Sequence, residues 1–187
     1  MELKSLTLLL SLVACAGAPR TSVAPSLTLM GTDHRAHALS PEASRAAATV
    51  YVFYNPHCPC VSAHVARLRE LHDAYAPRGV QWFMVDSEVG ASTERDATFE
   101  SERTFGFPML VDIGGKLARA TGAEFATFAV IVDRAGNLRY TGGVDDDRSH
   151  LRDEATPYLK DALEDVLAGR AVRRPEGKAL GCALQLW

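Results

Sequence analysis

Phe53-Tyr54-Asn55-Pro56-His57-Cys58-Pro59-Cys60-Val61 is the stretch that decides the fold. Thr49-Val50-Tyr51-Val52-Phe53 is a near-continuous run of β-formers, the pattern of a central strand buried on both faces. Beyond the cysteines, Val61, Val65, Leu68, Leu71 or His72, and Tyr75 recur at helical spacing, with Arg67, Arg69 and Glu70 between them. The quoted residues are therefore a strand-to-helix turn, and Pro59 suits the first turn of the helix. A thiol at that place sits near the positive end of the helix dipole, which favours the thiolate and makes the sulfur a nucleophile. His57 is placed to add positive charge. Free cysteines also pack as small inert hydrophobes, but two of them at such a turn point to a redox site.

Read outward, the chain alternates strand and helix patterns. Leu27 and Leu29, then Ala36 and Ala38, alternate around a polar turn at 31–35 and predict an entry hairpin with these side chains half-buried. Pro77 and Gly79 end the first helix, and 80–85 is the next strand. Residues 92–105 are helix-compatible, with Ser92 or Thr93 as cap and Phe99 inward. Residues 108–111 read as a short strand and 114–121 as a short helix. Residues 125–132 and 138–141 form strands around the turn 133–137. Tyr158, Leu159, Ala162, Leu163, Val166 and Leu167 line an amphipathic helix that Gly169 stops. This order predicts an α/β domain with a central mixed sheet flanked by helices.

The 187 residues are 47% apolar and 23% charged with a net charge of −3, which fits one globular domain and gives no basic footprint for nucleic acid. Residues 1–14 have a short charged start followed by a mostly apolar run, the build of an export signal too short to span a bilayer. Leu12-Val13-Ala14-Cys15 resembles the lipobox of bacterial lipoproteins. By that resemblance Cys15 carries a lipid, residues 15–26 are a flexible tether, and the protein is expected to be periplasmic, anchored by its N-terminal lipid to the bacterial outer membrane. Three thiols then remain, Cys58, Cys60 and Cys182, an odd set that suits an active centre better than a disulfide framework. The domain is expected over 27–170, with 171–187 a tail that carries Cys182.

Several pieces in order carry a wider resemblance: the hairpin 27–39, the strand ending at Asn55, Cys58-Pro59-Cys60, Tyr75-Ala-Pro-Arg-Gly-Val80 and Thr121-Gly122-Ala123. The turn 132–140, Gly143-Val-Asp-Asp146 and Gly181-Cys182 complete the series. Together they are similar to the thioredoxin fold, within it the redoxin branch that includes the alkyl hydroperoxide reductase C/thiol-specific antioxidant family and thioredoxin-like lipoproteins. The resemblance implies a thiol–disulfide oxidoreductase without a cofactor. Cys58 holds the position of the nucleophile, and Cys60 or Cys182 resolves the mixed disulfide with a periplasmic thiol/disulfide protein partner or a small oxidised substrate. Three departures stand out. Thioredoxins place two residues between their cysteines, and here there is only Pro59. The threonine that peroxiredoxins carry three residues before the peroxidatic cysteine is absent, since Asn55 precedes Cys58 at that offset, so peroxidase activity stays open. Thr127 falls where thioredoxin-like proteins usually carry a cis-proline, which predicts a trans or strained link.

Two other classes compete. Cys58 and Cys60 with His57, His64 or Cys182 are soft ligands suited to Cu(I), as in copper-delivery proteins of this fold, and a redox-silent binding module is the third reading. His64 is expected on the helix surface, His34 and His37 as solvated side chains rather than metal ligands, and Asp145-Asp146-Asp147 with Asp133 as a solvated loop rather than a calcium site.

Overall fold

The computed structural model describes residues 23–40 and 44–186. The expected signal segment, Cys15 and the tether up to residue 22 lie outside these residues. Two parallel strands form the centre of the sheet, β3 (Ala48–Tyr54) and β4 (Val80–Asp86), and β5 (Met109–Val111) continues parallel to β4. On the other side of β3, β6 (Phe128–Asp133) and β7 (Leu138–Gly143) are antiparallel. The entry hairpin β1 (Thr28–Gly31) and β2 (Ala36–Ala38) joins through β1 to β5. The order is β2-β1-β5-β4-β3-β6-β7. Four helices complete the domain: α1 (Pro59–Tyr75), α2 (Thr93–Arg103), α3 (Lys116–Thr121) and α4 (Tyr158–Leu167). None is long and apolar enough to cross a membrane among the described residues.

The two-residue period of β3 divides its apolar run between two cores. Val50, Val52 and Tyr54 pack with Leu68, Met84, Ile131, Leu159 and Leu163 on the face that α1 and α4 cover. Tyr51 and Phe53 pack with Phe83, Val85, Leu110, Leu117 and Val130 on the opposite face. Each large side chain buried this way contributes about 1.5–3 kcal/mol. A slip of one residue would exchange the two sets, so both cores lock the register that delivers the chain to Cys58. After α1, Pro77 lies in a single 3-10 turn and Gly79, at φ 84°, swings the backbone into β4.

Four details differ from the sequence reading. β6 starts at Phe128 rather than at residue 125, because Thr127 takes a left-handed φ of 69° that breaks the extended run. In β2 the alternation is reversed: Ala36 and Ala38 are exposed. His37 instead turns inward, its ring 5.0 Å from Phe83 and held by Asp33, because an imidazole covers more apolar surface than two methyl groups. At the end of the stretch read as a tether, Val23 pairs with Asn137 and Ala24 N–H donates to Gly136 O at 2.8 Å. The C-terminal tail folds back across the domain, pairing Glu176 with Thr141, Ala183 with Phe125 and Leu186 with Glu88.

Candidate active site

The turn between β3 and α1 is held from both sides. Asn55 Oδ1 accepts from His57 N–H at 2.8 Å, Asn55 O accepts from Cys58 N–H at 3.1 Å, and Asn55 Nδ2 donates to Glu88 Oε1 at 2.6 Å. Glu88 Oε1 also accepts Gln185 N–H at 3.1 Å, so one carboxylate ties the turn to the tail. Cys58 is the N-cap residue of α1 and Pro59 follows in the first turn. Cys58 and Cys60 are buried, and Cys182 is half-buried.

The tail brings Cys182 to Cys58 across 124 residues of chain: Cys182 N–H donates to Cys58 Sγ at 3.3 Å. Ala126 N–H donates to Cys182 O and Leu184 N–H to Glu124 O, both at 2.8 Å, which fixes the tail as an extended segment beside the loop before β6. Gly181 is required there. A Cβ at that residue would lie 1.7 Å from Ala126 O, a backbone atom that cannot move aside. Thr127, where the cis-proline was expected to be replaced, is buried and left-handed, and its N–H donates to Phe53 O at 2.8 Å. No peptide bond among the described residues is cis. A β-branched residue in that conformation stores about 1–2 kcal/mol of strain, held by the hydrogen bonds on either side.

The proton affinities of the three thiols diverge. Burial raises Cys58, but the Cys182 thiol and the backbone N–H groups of Val61, Cys182 and Cys60 outweigh it and hold Cys58 below the ordinary thiol range. Burial and the neighbouring Cys58 charge push Cys60 up, with Arg148 opposing them. Burial, the hydrogen bond to Cys58 and the charges of Cys58 and Cys60 push Cys182 up to about 12. One thiol of lowered proton affinity faces two of raised proton affinity, so of the three Cys58 ionises first.

Three of the four expected site cysteines are thus assembled, and the fourth, Cys15, lies outside the described residues. His57 is exposed. His64 is not on the helix surface as expected but buried, with Nδ1 2.7 Å from Cys60 O and Nε2 3.0 Å from Asp145 Oδ1. The acidic loop is likewise not solvated: Asp145 and Asp147 are buried and paired with His64, Arg67 and Arg152. Asp133 is remote from them in function, closing the β6–β7 turn with Asn137 and Arg139. No three His, Cys, Asp or Glu side chains among the described residues are arranged to hold a metal ion. Arg148, which faces the Cys60 thiol and lies near Cys182, had no signal in the sequence. It is an exposed arginine in a polar loop, and only the folding of that loop against α1 gives it a role.

A family model described as the AhpC/TSA family matches residues 21–141. The structure of an uncharacterized conserved protein from Geobacillus kaustophilus is similar at 29% identity, covering 90% of this chain and 92% of that one, with a TM-score of 0.80. A hypothetical protein from Sinorhizobium meliloti is similar at 24% identity, over 89% and 94% of the two chains, with a TM-score of 0.79. A secreted disulfide oxidoreductase from Mycobacterium tuberculosis shares the fold at 16% identity, over 77% and 96%, with a TM-score of 0.52. Among curated proteins no match is found. The fold is thioredoxin-like, with the helix-flanked mixed sheet and entry hairpin that the sequence pattern predicted.

Proposed function

Because the chain belongs to the AhpC/TSA family, we propose that it is an exported thiol–disulfide oxidoreductase in which Cys58 attacks and Cys182 resolves. The observation that carries this reading is the hydrogen bond from Cys182 N–H to Cys58 Sγ, 3.3 Å long, which seats the tail cysteine against the nucleophile. In the first step the Cys58 thiolate attacks one sulfur of a substrate disulfide. The substrate S–S bond breaks, a Cys58–substrate disulfide forms, and the other substrate sulfur leaves as a thiolate. This removes the charge on Cys58, and with it the hydrogen bond and repulsion that help keep Cys182 protonated. Cys182 then loses its proton to the departing sulfur and attacks Cys58. A Cys58–Cys182 disulfide forms and the substrate leaves fully reduced. An external dithiol returns the two electrons and completes the cycle.

Cys60 makes the competing pair, since its thiol also lies against Cys58. A bridge across Cys-Pro-Cys closes a small ring, and such strained disulfides are oxidising. The copper reading has less support: His64 spends both ring nitrogens on Cys60 O and Asp145. The export and lipid-anchor part of the reading rests on residues 1–15 of the sequence.

Thiol mapping by mass spectrometry on the chain without residues 1–15 tests the reading. Expected are a reversible Cys58–Cys182 disulfide and rapid Cys58 alkylation below neutral pH. A Cys58–Cys60 bridge would move resolution to Cys60. Absence of any reversible bridge, with Cys58 alkylating like a free cysteine, would sink the oxidoreductase reading.

A further inference from the structure

His64 lies one helical turn beyond Cys60 and is 1% exposed. Both of its ring nitrogens face acceptors. Nδ1 is 2.7 Å from the Cys60 carbonyl oxygen, which can only accept, and Nε2 is 3.0 Å from Asp145 Oδ1. Asp145 is itself an acceptor here. It takes a hydrogen bond from Arg67 and another from Asp147 N–H at 2.8 Å. Burial raises the Asp145 carboxyl, but the hydrogen bonds from His64 and Arg67 outweigh it and hold it below the usual range, so it is a carboxylate. A neutral imidazole has one N–H and would leave one of these two contacts as a lone pair against an acceptor, at full burial cost.

We infer that His64 is a positioning residue of the thiol site: a buried imidazolium whose two N–H groups latch the first turn of α1 to the loop that carries Arg148. This rests on the oxidoreductase reading above for its consequence, though not for its geometry. The latch runs from the Cys60 carbonyl through His64 to Asp145, then through Arg67 to Asp147 and on to Arg152. Arg148 follows Asp147 directly in the chain, so fixing Asp145 and Asp147 fixes where the Arg148 guanidinium meets Cys60. The charged and titratable groups facing the ring and its partner are Arg67 on α1, Asp145, Asp147 and Arg152 in and after the loop, and Tyr140 of β7 beside Asp145. A charged His64 offsets Asp145, and Arg67 and Arg152 offset Asp147 and Asp146, so the network is balanced only while the imidazole is protonated. Within it the His64 charge is the one nearest the Cys60 carbonyl, on the same side as the helix N-terminal field, and its loss leaves the carboxylates in excess there.

The test uses the full mature chain. NMR of 15N-histidine-labelled protein at neutral pH is expected to show one imidazole with a proton on both nitrogens and slow solvent exchange, missing in His64→Gln. A His64 ring with one bare nitrogen would overturn the inference whatever the thiols do. The second readout is Cys58 and Cys60 alkylation against pH. Gln keeps an N–H donor and loses the charge, so His64→Gln is expected to slow alkylation at pH 7 by about three- to tenfold and move the profile to higher pH. Circular dichroism and thermal melting must match a folded chain. Asp145→Asn is the second variant should His64→Gln unfold, and it is expected to displace Arg148 and slow Cys60 alkylation likewise. Unchanged profiles in a folded variant overturn the positioning role while leaving a wild-type Cys58–Cys182 bridge, and so the oxidoreductase reading, intact. Absence of any reversible bridge to Cys58 in the wild type, with the imidazolium present, would strike the oxidoreductase reading alone.

Discussion

Helices α1 and α2 begin in opposite ways. At α2 the Ser92 side chain accepts Arg95 N–H at 3.2 Å, and Glu94 and Asp96 occupy the first turn, where acidic groups oppose the helix dipole. At α1 the N-cap is Cys58, no side-chain capping hydrogen bond closes, and the first turn holds no acidic residue. The amides of Val61 and Cys60 are instead aimed at the Cys58 sulfur. One terminus spends its field on stability. The other leaves it for an anion that forms only when a thiol ionises, and that unspent field is part of what lowers the proton affinity of Cys58.

The largest way to break this comparison is Cys58→Ser. It should abolish reduction of a chromogenic aromatic disulfide, more than about 100-fold, while leaving the melting temperature within a few degrees. Cys182→Ser comes next. The mixed disulfide on Cys58 should persist and be visible by mass. Without its thiol donor, Cys58 alkylation should also shift to higher pH. Gly181→Ala should drive the tail off Ala126, slowing resolution by about tenfold while Cys58 still alkylates; an unchanged resolution rate would mean the tail adapts to the added Cβ.

Asp96 sharpens the comparison from the α2 side. Burial first, then the neighbouring Asp86 carboxylate, push it up to about 8, and its Oδ2 has no hydrogen-bond partner. A carboxyl whose folded value lies above its unfolded one costs nothing below about pH 4. The cost then grows as pH rises to about 8, because the unfolded chain releases the proton and the folded one keeps it. Asp96→Asn should therefore gain stability relative to wild type across that window, by several kcal/mol more at pH 8 than at pH 4, measured by urea unfolding at both. The smallest effect belongs to Ser92→Ala: about 1 kcal/mol of lost stability with thiol reactivity unchanged. A change in Cys58 alkylation there would show that the two helix starts are coupled.

Much of the fold was legible because its signals are local. The β-former run at 49–53 had to be a central strand, since only two covered faces can bury every residue of it. The 133–137 turn and the helix ends at Gly79 and Gly169 carry residues that the backbone conformation demands. Misreadings came where neighbours outweighed the local pattern. β2 was assigned by its alanines, but Phe83 and Asp33 captured His37 instead. His64, one turn after Cys60, was expected on the helix surface, yet Asp145, 81 residues away, supplies the partner that makes its burial stable.

The sequence by itself determined the strand–cysteine–helix unit, the order of elements and the placing of Cys58 at a helix start, because a helix terminus and the thiol on it are set within a few residues. Tertiary structure alone decided what surrounds that thiol. It brought Cys182 across 124 residues, put Arg148 over Cys60 and buried His64 between Cys60 and Asp145. Such contacts depend on which chain segments meet once two cores have formed, and no spacing along the chain encodes the distance between groups on different segments.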